Sequence, residues 1–297
     1  MALLALALLV SAAAARYAEA ASPGVTGAAL SFVSLVAESL PFLLAGALLS
    51  AVLTTGAGRR LLGAARRRPR LAAALAPLTG AVLPLCDCGL LPLARRLRDA
   101  GSPRAVGPFL AGAPLTNPIV VISTLLAFPG RPGMAVGRVL GGLALAAAVG
   151  VLVTPPPQTS VPEEHDHDHS GGRVAQELFR TAPTLVLGAL AAAVLKAALP
   201  TSVFTSLASQ PLIGAAAMLG LAVVMSICSQ ADAFVASALP VGPLPRLAFL
   251  VVGPALDLRL AALYRREFGG RWVLRYAAVV VPTALIVTTA CTTAGLQ

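Results

Sequence analysis

Long apolar runs, separated by short breaks rich in arginine or proline, make up most of this chain. Several runs reach about 20 residues, the length that an α-helix needs to cross the hydrocarbon core of a bilayer. The runs lack the two-residue alternation of strands with one polar face. Helices are also favoured because they satisfy their own backbone hydrogen bonds in lipid. The pattern predicts an all-α, polytopic membrane helical bundle.

The composition strengthens the prediction of a multi-pass membrane protein. Of the 297 residues, 57% are apolar and only 11% are charged. The formal charge of +10 comes almost entirely from arginine, since Lys196 is the only lysine. The arginines cluster in loops between apolar runs, where membrane orientation and anionic lipid explain them. We therefore expect the cell membrane and its lipid bilayer, and not nucleic acid, as the surroundings of this chain.

Four segments can be distinguished along the chain. Residues 1–29 are predicted to form an N-terminal helix or signal-anchor, uncleaved because the basic start of a signal peptide is missing. Residues 30–154 and 173–297 are predicted to be two repeats of one membrane unit. Between them, residues 155–172 form a hydrophilic linker rich in His, Asp and Glu, which predicts a flexible hinge.

The two repeats are recognised by a common offset. A shift of 140 positions, the distance from Cys88 to Cys228, matches residue types that are rare in this composition. Chance matching of Cys, Pro and Phe at one offset is a weak explanation in a chain dominated by Ala and Leu. The matched pairs are Cys88 with Cys228, Pro103 with Pro243, Phe109 with Phe249, Leu110 with Leu250, Pro114 with Pro254 and Asn117 with Asp257.

Arginine-rich loops indicate how the repeats are oriented. The positive-inside rule predicts a cytoplasmic location for the loops at 59–70, 95–104 and 259–275. The first two can share a side only if residues 71–94 form a re-entrant or broken segment, which predicts inverted repeats with Arg131, Arg138 and Lys196 outside. Four full crossings per half would instead give parallel repeats. The remaining predicted spans are 30–54, 105–128, 134–154, 181–199, a broken segment at 212–239, 246–263 and 272–291.

Three cysteines are candidate ligands for a transported species. Cys86 and Cys88 lie on a predicted turning segment, and Cys228 occupies the matching place in the second half. Thiolates are soft ligands that select Cu(I), zinc and similar thiophilic species, including trivalent arsenic. The alternative is that a buried cysteine is simply a small apolar residue, which is the interpretation favoured for Cys291.

Polar residues inside the apolar runs are the next candidates. Asp87, Asp232 and Asp257 would be costly in lipid unless paired or hydrated, so each is a candidate for proton coupling. A helix cap or an ion pair with Arg259 is the alternative for Asp257. Asn117 could contact substrate or hold the broken helix between its flanking prolines.

The linker carries three histidines alternating with carboxylates, at His165, His167 and His169. This composition is typical of metal capture, and a solvated linker is the alternative. An auxiliary role in capturing a metal is therefore a hypothesis for these histidines.

Several motifs together resemble the predicted-permease family that includes the ArsP organoarsenical efflux permeases. They are the Cys-x-Cys-Gly stretch ending at Gly89 and followed by Pro92, the Gly101-x-Pro103 turn, the run from Ala113 to Pro118, the Cys-Ser-Gln-Ala-Asp-Ala-Phe stretch from Cys228, and the run from Phe249 to Asp257. The resemblance implies a secondary permease without an ATPase domain or cofactor, which expels trivalent arsenicals or other thiophilic species through cysteines matching Cys86, Cys88 and Cys228.

Two features depart from the family pattern. Members vary between serine and aspartate between the first two cysteines, and this chain has Asp87. The histidine-rich linker is not a general feature and favours a divalent or cuprous ion as cargo. A membrane thiol-disulfide oxidoreductase is the alternative function, although the chain has no Cys-x-x-Cys pair. A passive scaffold or insertion subunit is a third possibility.

Overall fold

The structure is a computed structural model that describes residues 63–82, 89–153, 211–239 and 241–295. None of these residues lies in a β-strand, which confirms the all-α prediction for this part of the chain. After a helical stretch at 63–67, the elements are α1 (Pro69–Leu75), a 3₁₀ segment (Ala76–Ala81), α2 (Leu90–Asp99), α3 (Pro103–Thr116), α4 (Pro118–Ala127), α5 (Pro132–Leu152), α6 (Pro211–Met225), α7 (Asp232–Ala238), α8 (Pro243–Val252), α9 (Leu258–Phe268) and α10 (Gly270–Thr293).

Proline and glycine set many of the helix boundaries. Helices α1, α3, α4, α5 and α8 each have proline in the first turn, where its missing N–H costs no hydrogen bond. Gly101, Gly130 and Gly269, which follow α2, α4 and α9, have φ of +84°, +77° and +86°. Side chains are disfavoured in this region of backbone space, so glycine allows the chain to turn there.

Helices α5 and α10 are the described helices that are long and apolar enough to cross a membrane on their own. They confirm the helices predicted at 134–154 and 272–291, to within two residues at each end. Helices α3 and α4 pass the same test as a pair, bent by 41°. Asn117 lies at that bend.

The predicted breaks are confirmed in part. The segment 212–239 is broken as expected, into α6 and α7 with an irregular stretch at 226–231. The prediction of one continuous helix at 246–263 is wrong, because the chain leaves helical geometry around Pro254 and restarts at Leu258. The tip of the predicted re-entrant segment, at 83–88, lies outside the described residues, as do the N-terminal segment 1–29 and the linker 155–172.

Glycines on α5 set the direction in which α3 packs. A Cβ at Gly142 would lie 2.5 Å from the Cβ of Leu115, and one at Gly150 would lie 2.9 Å from Cγ of Pro108. Small residues are therefore needed for this close approach of the two helices. Because residue numbers rise along α5 as they fall along α3, the two helices run antiparallel.

Other glycines of α5 face the second half of the chain. A Cβ at Gly137 would lie 3.0 Å from the Leu247 side chain, and one at Gly141 would lie 2.6 Å from Val251. Here the numbers rise together, so α5 and α8 run parallel. Helices α3 and α8 begin at Pro103 and Pro243, matched by the shift of 140, and consequently run in opposite directions.

One end of the bundle, the Arg-rich end, joins the halves through ionic contacts. The C-terminal turn of α2 meets that of α9, where Arg95 Nε and Arg98 Nη2 each lie 2.8 Å from a carboxylate oxygen of Glu267. The guanidinium of Arg98 also lies 5.7 Å from the ring centre of Phe268. The side chains of Glu267 and Arg95 are buried and that of Arg98 is partly exposed, so this carboxylate is largely shielded from water.

At the opposite end, which we call the Phe128 end, the contacts are weaker. Arg246, in the first turns of α8, donates a 2.8 Å hydrogen bond to the Leu239 carbonyl oxygen. Its guanidinium lies 5.9 Å from the ring centre of Phe128, the residue that follows α4. Phe128 and Phe268 are matched by the shift of 140, so each end of the bundle pairs an arginine with one of two equivalent phenylalanines.

Candidate functional site

The candidate site lies at the break between α6 and α7, inside the bundle. Ser226 opens the break with φ of +47°, an uncommon backbone state for a residue other than glycine. Its Oγ accepts a 3.2 Å hydrogen bond from the amide of Leu258, at the start of α9. The break between α6 and α7 is therefore tied to the turn between α8 and α9.

Cys228 occupies the middle of this break and is buried. Its carbonyl oxygen accepts hydrogen bonds from the amides of Ala231 and Asp232, at 2.9 and 3.0 Å, which start the first turn of α7. Its thiol donates to Oε1 of Gln230. The backbone turn thus holds a thiol at a helix break, as the sequence predicted for this cysteine.

A buried ion pair adjoins the cysteine. Nη2 of Arg138, on α5, lies 2.6 Å from Oδ2 of Asp232 and donates to the Ser229 carbonyl oxygen at 2.9 Å. Nη1 donates to Oγ1 of Thr124, on α4, at 2.9 Å. The Arg138 side chain is 0% exposed and that of Asp232 is 3% exposed. Arg138 was grouped with Arg131 and Lys196 on the outer side as a loop arginine, and the loop position is wrong, because Arg138 lies within α5 and is fully buried.

The ion pair links the two halves of the chain. Arg138 belongs to the first half and Asp232 to the second, 94 positions apart. Taking two charges out of water is costly, and breaking such a pair leaves an uncompensated charge in the interior. The contact therefore holds α5, from the first half of the chain, against the break that carries Cys228.

Several polar atoms of this unit are buried and have no hydrogen-bond partner among the residues that the structure describes. They are Nε of Arg138, Oγ of Ser229, Nε2 of Gln230 and Oδ1 of Asp232. Buried polar groups are usually satisfied, so such a concentration of unsatisfied atoms calls for an explanation. Three of the four atoms carry hydrogens that can be donated.

Asn117 and Asp257, matched by the shift of 140, both begin a helix. Asn117 Oδ1 accepts from the amide of Ile119 at 2.9 Å and caps α4. Asp257 Oδ1 accepts from the amide of Leu260 at 2.7 Å and caps α9, while its Oδ2 lies 3.2 Å from Nη2 of Arg259. Asp257 thus makes the cap and the ion pair that the sequence offered as alternatives to proton coupling.

The first-half candidates Cys86, Asp87 and Cys88, and the linker residues His165, His167 and His169, lie outside the described residues. Within the described part of the chain, no three His, Cys, Asp or Glu side chains come together as a metal site would require. Whether Cys228 meets the first-half cysteines stays a prediction. Cys291 is buried among apolar residues of α10, as expected for a structural cysteine.

The sequence reasoning missed Arg138 and Glu267. Arg138 carried a readable signal, since it lies six residues inside the 21-residue apolar helix α5, where a charge marks a functional or paired position. Glu267 carried a weaker signal, as the one acid in the stretch at 259–275, which was predicted to be an arginine-rich loop and instead contains most of α9. The sequence does not indicate the partners of these two residues, because Asp232 is distant from Arg138 in the chain, as Arg95 and Arg98 are from Glu267.

Comparison with known proteins identifies the family. The profile of a family described as predicted permeases, ArsP_1, matches residues 25–292. The chain belongs to this family. The permease is 29% identical over 286 residues to a "Putative two-component membrane permease complex subunit" of Streptococcus mutans, covering 90% of this chain and 94% of that protein. It is 32% identical over 276 residues to the "UPF0718 protein YcgR" of Bacillus subtilis, covering 84% of this chain and 92% of that protein.

No solved structure matches this permease. The family match confirms the resemblance inferred from the cysteine, proline and aspartate motifs, and it supports a membrane transporter. The names of the relatives specify no cargo.

Proposed function

We propose that this permease is a secondary exporter of thiophilic metal or metalloid species, with Cys228 as one ligand and Cys86 and Cys88 as ligands from the first half. The observation that carries the proposal is the buried thiol of Cys228 at a helix break, next to an ion pair that joins the two halves. Discontinuous helices at corresponding positions of two repeats are where transporters place their substrate sites. Soft thiolates would select a soft cargo.

The two halves are proposed to be inverted repeats around this site. The matched helices α3 and α8 run in opposite directions beside α5, as the glycine contacts require. The matched residues Asn117 and Asp257 each cap the helix after a break. The contact of Arg95 and Arg98 with Glu267 also supports the assignment of two arginine-rich loops to one side of the membrane. Parallel repeats would separate these loops.

Asp232 is proposed to exchange a proton during transport. Protonation would remove its negative charge and release Arg138, whose guanidinium now binds it at 2.6 Å. Because the pair bridges the halves, its release would weaken the closed arrangement. Ionisable residues inside membrane segments commonly serve such relays. Asp87 and Asp257 are kept as further candidates, and Asn117 as a candidate contact of the substrate.

Two auxiliary features complete the proposal. The linker histidines His165, His167 and His169 would capture a metal before transport. A second subunit would assist the permease, an idea supported by the name of the Streptococcus mutans relative. Co-purification of an affinity-tagged permease from its native membrane tests the second idea, which would be rejected if the permease is isolated without a stoichiometric companion.

Transport into inside-out vesicles tests the main proposal. Vesicles containing the permease should accumulate a methylated trivalent arsenical, arsenite, antimonite, Cu(I) or Zn²⁺ when a proton gradient is imposed. Cys228→Ser should abolish accumulation, whereas the matched control Cys291→Ser should retain it, since Cys291 lies in α10. Asp232→Asn should remove the dependence on the proton gradient.

The proposal fails if none of these species accumulates, or if Cys228→Ser transports as the wild type does. Electron transfer to a quinone analogue without accumulation, lost in the cysteine variant, would instead favour the thiol-disulfide oxidoreductase.

A further inference from the structure

We propose that Arg138, Ser229 and Gln230 form a subsite that donates hydrogen bonds to oxygen atoms on the cargo, next to the thiol of Cys228. The cargo class is then a soft element carrying hydroxyl or oxo groups, such as a trivalent metalloid hydroxide. A bare metal cation is excluded. This inference rests on the proposed function and narrows it.

The unsatisfied atoms determine the chemistry of the subsite. In the described part of the chain, Nε of Arg138 and Nε2 of Gln230 are donors without acceptors, and Oγ of Ser229 is a hydroxyl without a partner. All three atoms are buried, so leaving them unpaired costs free energy that a bound oxygen acceptor would recover. A bare cation offers no acceptor to any of them.

The three groups belong to one hydrogen-bonded unit. Ser229 and Gln230 directly follow Cys228, and Arg138 is attached to that stretch through the Ser229 carbonyl oxygen and Asp232. The carbonyl of Gln230 already accepts from the thiol, which leaves its amide nitrogen as the donor. The fourth unsatisfied atom, Oδ1 of Asp232, is an acceptor suited to the hydrogen of a cargo hydroxyl.

The guanidinium adds a charge argument. The cationic side chain of Arg138 is fully buried, so it repels a cationic cargo near Cys228 whenever Asp232 is neutral. A neutral or anionic oxygen-bearing cargo would instead be attracted at that moment. The same residues therefore reject a cation and retain a hydroxylated species.

Uptake kinetics in inside-out vesicles test this subsite with two probes, methylarsonous acid and Zn²⁺. We expect uptake of methylarsonous acid, with a KM raised about fivefold in Ser229→Ala and again in Gln230→Leu, the usual effect of losing one neutral hydrogen bond. Ser229→Thr keeps the hydroxyl and should restore the wild-type KM. Zn²⁺ should neither accumulate nor compete.

Uptake of methylarsonous acid with a KM unchanged in both variants would overturn the subsite and leave the proposed function intact. Uptake of Zn²⁺ by the wild type, with the same kinetics in Ser229→Ala and Gln230→Leu, would also overturn the subsite and leave the proposed function intact. Uptake of neither probe would contradict the subsite, and a negative result extending to arsenite, antimonite and Cu(I) would contradict the exporter itself.

A separate observation, the matched arginine-phenylalanine contacts, points to two gates. We infer that the Arg-rich end and the Phe128 end open alternately, because each contact joins one half of the chain to the other. At the Arg-rich end Arg98 meets Phe268 and Glu267, and at the Phe128 end Arg246 meets Phe128. Both contacts are made in this structure, so it corresponds to the closed state.

The two gates differ in strength. Glu267 is a buried carboxylate between two guanidinium groups, whereas Arg246 has a carbonyl oxygen and an aromatic ring as partners. Charge-assisted hydrogen bonds are roughly twice as strong as neutral ones. The Arg-rich gate therefore opens less readily, and the Phe128 gate is the weaker of the two.

Labelling of Cys228 by a membrane-impermeant maleimide, read by peptide mass spectrometry, tests the gates without any cargo. Glu267→Gln should raise labelling severalfold from the cytoplasmic face in inside-out vesicles, and Arg246→Gln should raise it from the outer face in intact cells. Combined Arg95→Gln and Arg98→Gln should repeat the effect of Glu267→Gln. Equal labelling in all variants, or both single variants labelling from one face, would overturn the inference.

Discussion

Removing the carboxylate of Asp232 should destabilise the permease far more than removing both charges of its ion pair. In Asp232→Ala the guanidinium of Arg138 loses its 2.6 Å partner while its side chain stays 0% exposed. Breaking a buried pair from one side costs about 3–5 kcal/mol, because the remaining charge is uncompensated. The double variant Arg138→Met with Asp232→Ala has the same cavity at position 232 but no uncompensated charge. Its free energy of unfolding should exceed that of Asp232→Ala by at least about 2 kcal/mol.

Unfolding in detergent micelles measures these differences. Trp272 is the single tryptophan of the chain, and its ring lies 5.0 Å from that of Tyr276 in a stacked arrangement, so its fluorescence reports loss of packing. Asp99→Asn is the matched control, because its pair with Arg98 is partly exposed and such surface pairs contribute about 0–1 kcal/mol. Equal losses in the single and the double variant would refute the reasoning, since they would mean that Arg138 is stabilised without Asp232.

Three further substitutions probe the helix breaks, with thermal stability in micelles as the measurement. Gly80→Ala should prevent accumulation of folded protein, because a Cβ there would lie 1.8 Å from the Ala113 carbonyl oxygen. Gly63→Ala is the control and should behave as wild type, since a Cβ at Gly63 would meet no atom of the described residues within 4 Å. Ser226→Ala should lower the free energy of unfolding by about 1 kcal/mol, because it removes the acceptor for the first amide of α9. Ser226→Gly should lower it less, because glycine relieves the backbone strain at φ of +47°. A larger loss in Ser226→Gly than in Ser226→Ala would contradict that strain. Asn117→Ala should lower the free energy of unfolding by about 1 kcal/mol through loss of the α4 cap, whereas Asn117→Asp should keep the cap and the stability. Equal losses of stability in the two variants would argue against capping.

The helices and several breaks could be predicted from local sequence. The apolar length of α5 and α10 identified them within two residues, and Pro118 and the stretch at 226–231 marked discontinuities. The turn around Pro254 was not recognised, although its match to Pro114 pointed to a disruption. Local signals of this kind act through backbone geometry and hydrogen-bond loss, which depend on neighbouring residues alone.

The site was only partly predictable. Cys228 and Asp232 were selected because a thiol and a carboxylate stand out in an apolar run, and both are buried at the break. Arg138 was assigned to the outside because arginines were counted as loop markers. Its burial follows from a partner 94 positions away, and no local pattern contains that information.

The sequence by itself determined the class of the protein, the positions of most helices, the matched offset of 140 and the family. These properties depend on apolar length, on proline and glycine, and on short motifs, all of which act over a few residues. Only the tertiary structure decided that α3 and α8 run in opposite directions, that Arg138 binds Asp232, and that Glu267 joins the two halves. The reason is physical: a buried charge is tolerated where packing brings a partner to it, and packing in this bundle is set by close contacts between helices that are far apart in the chain.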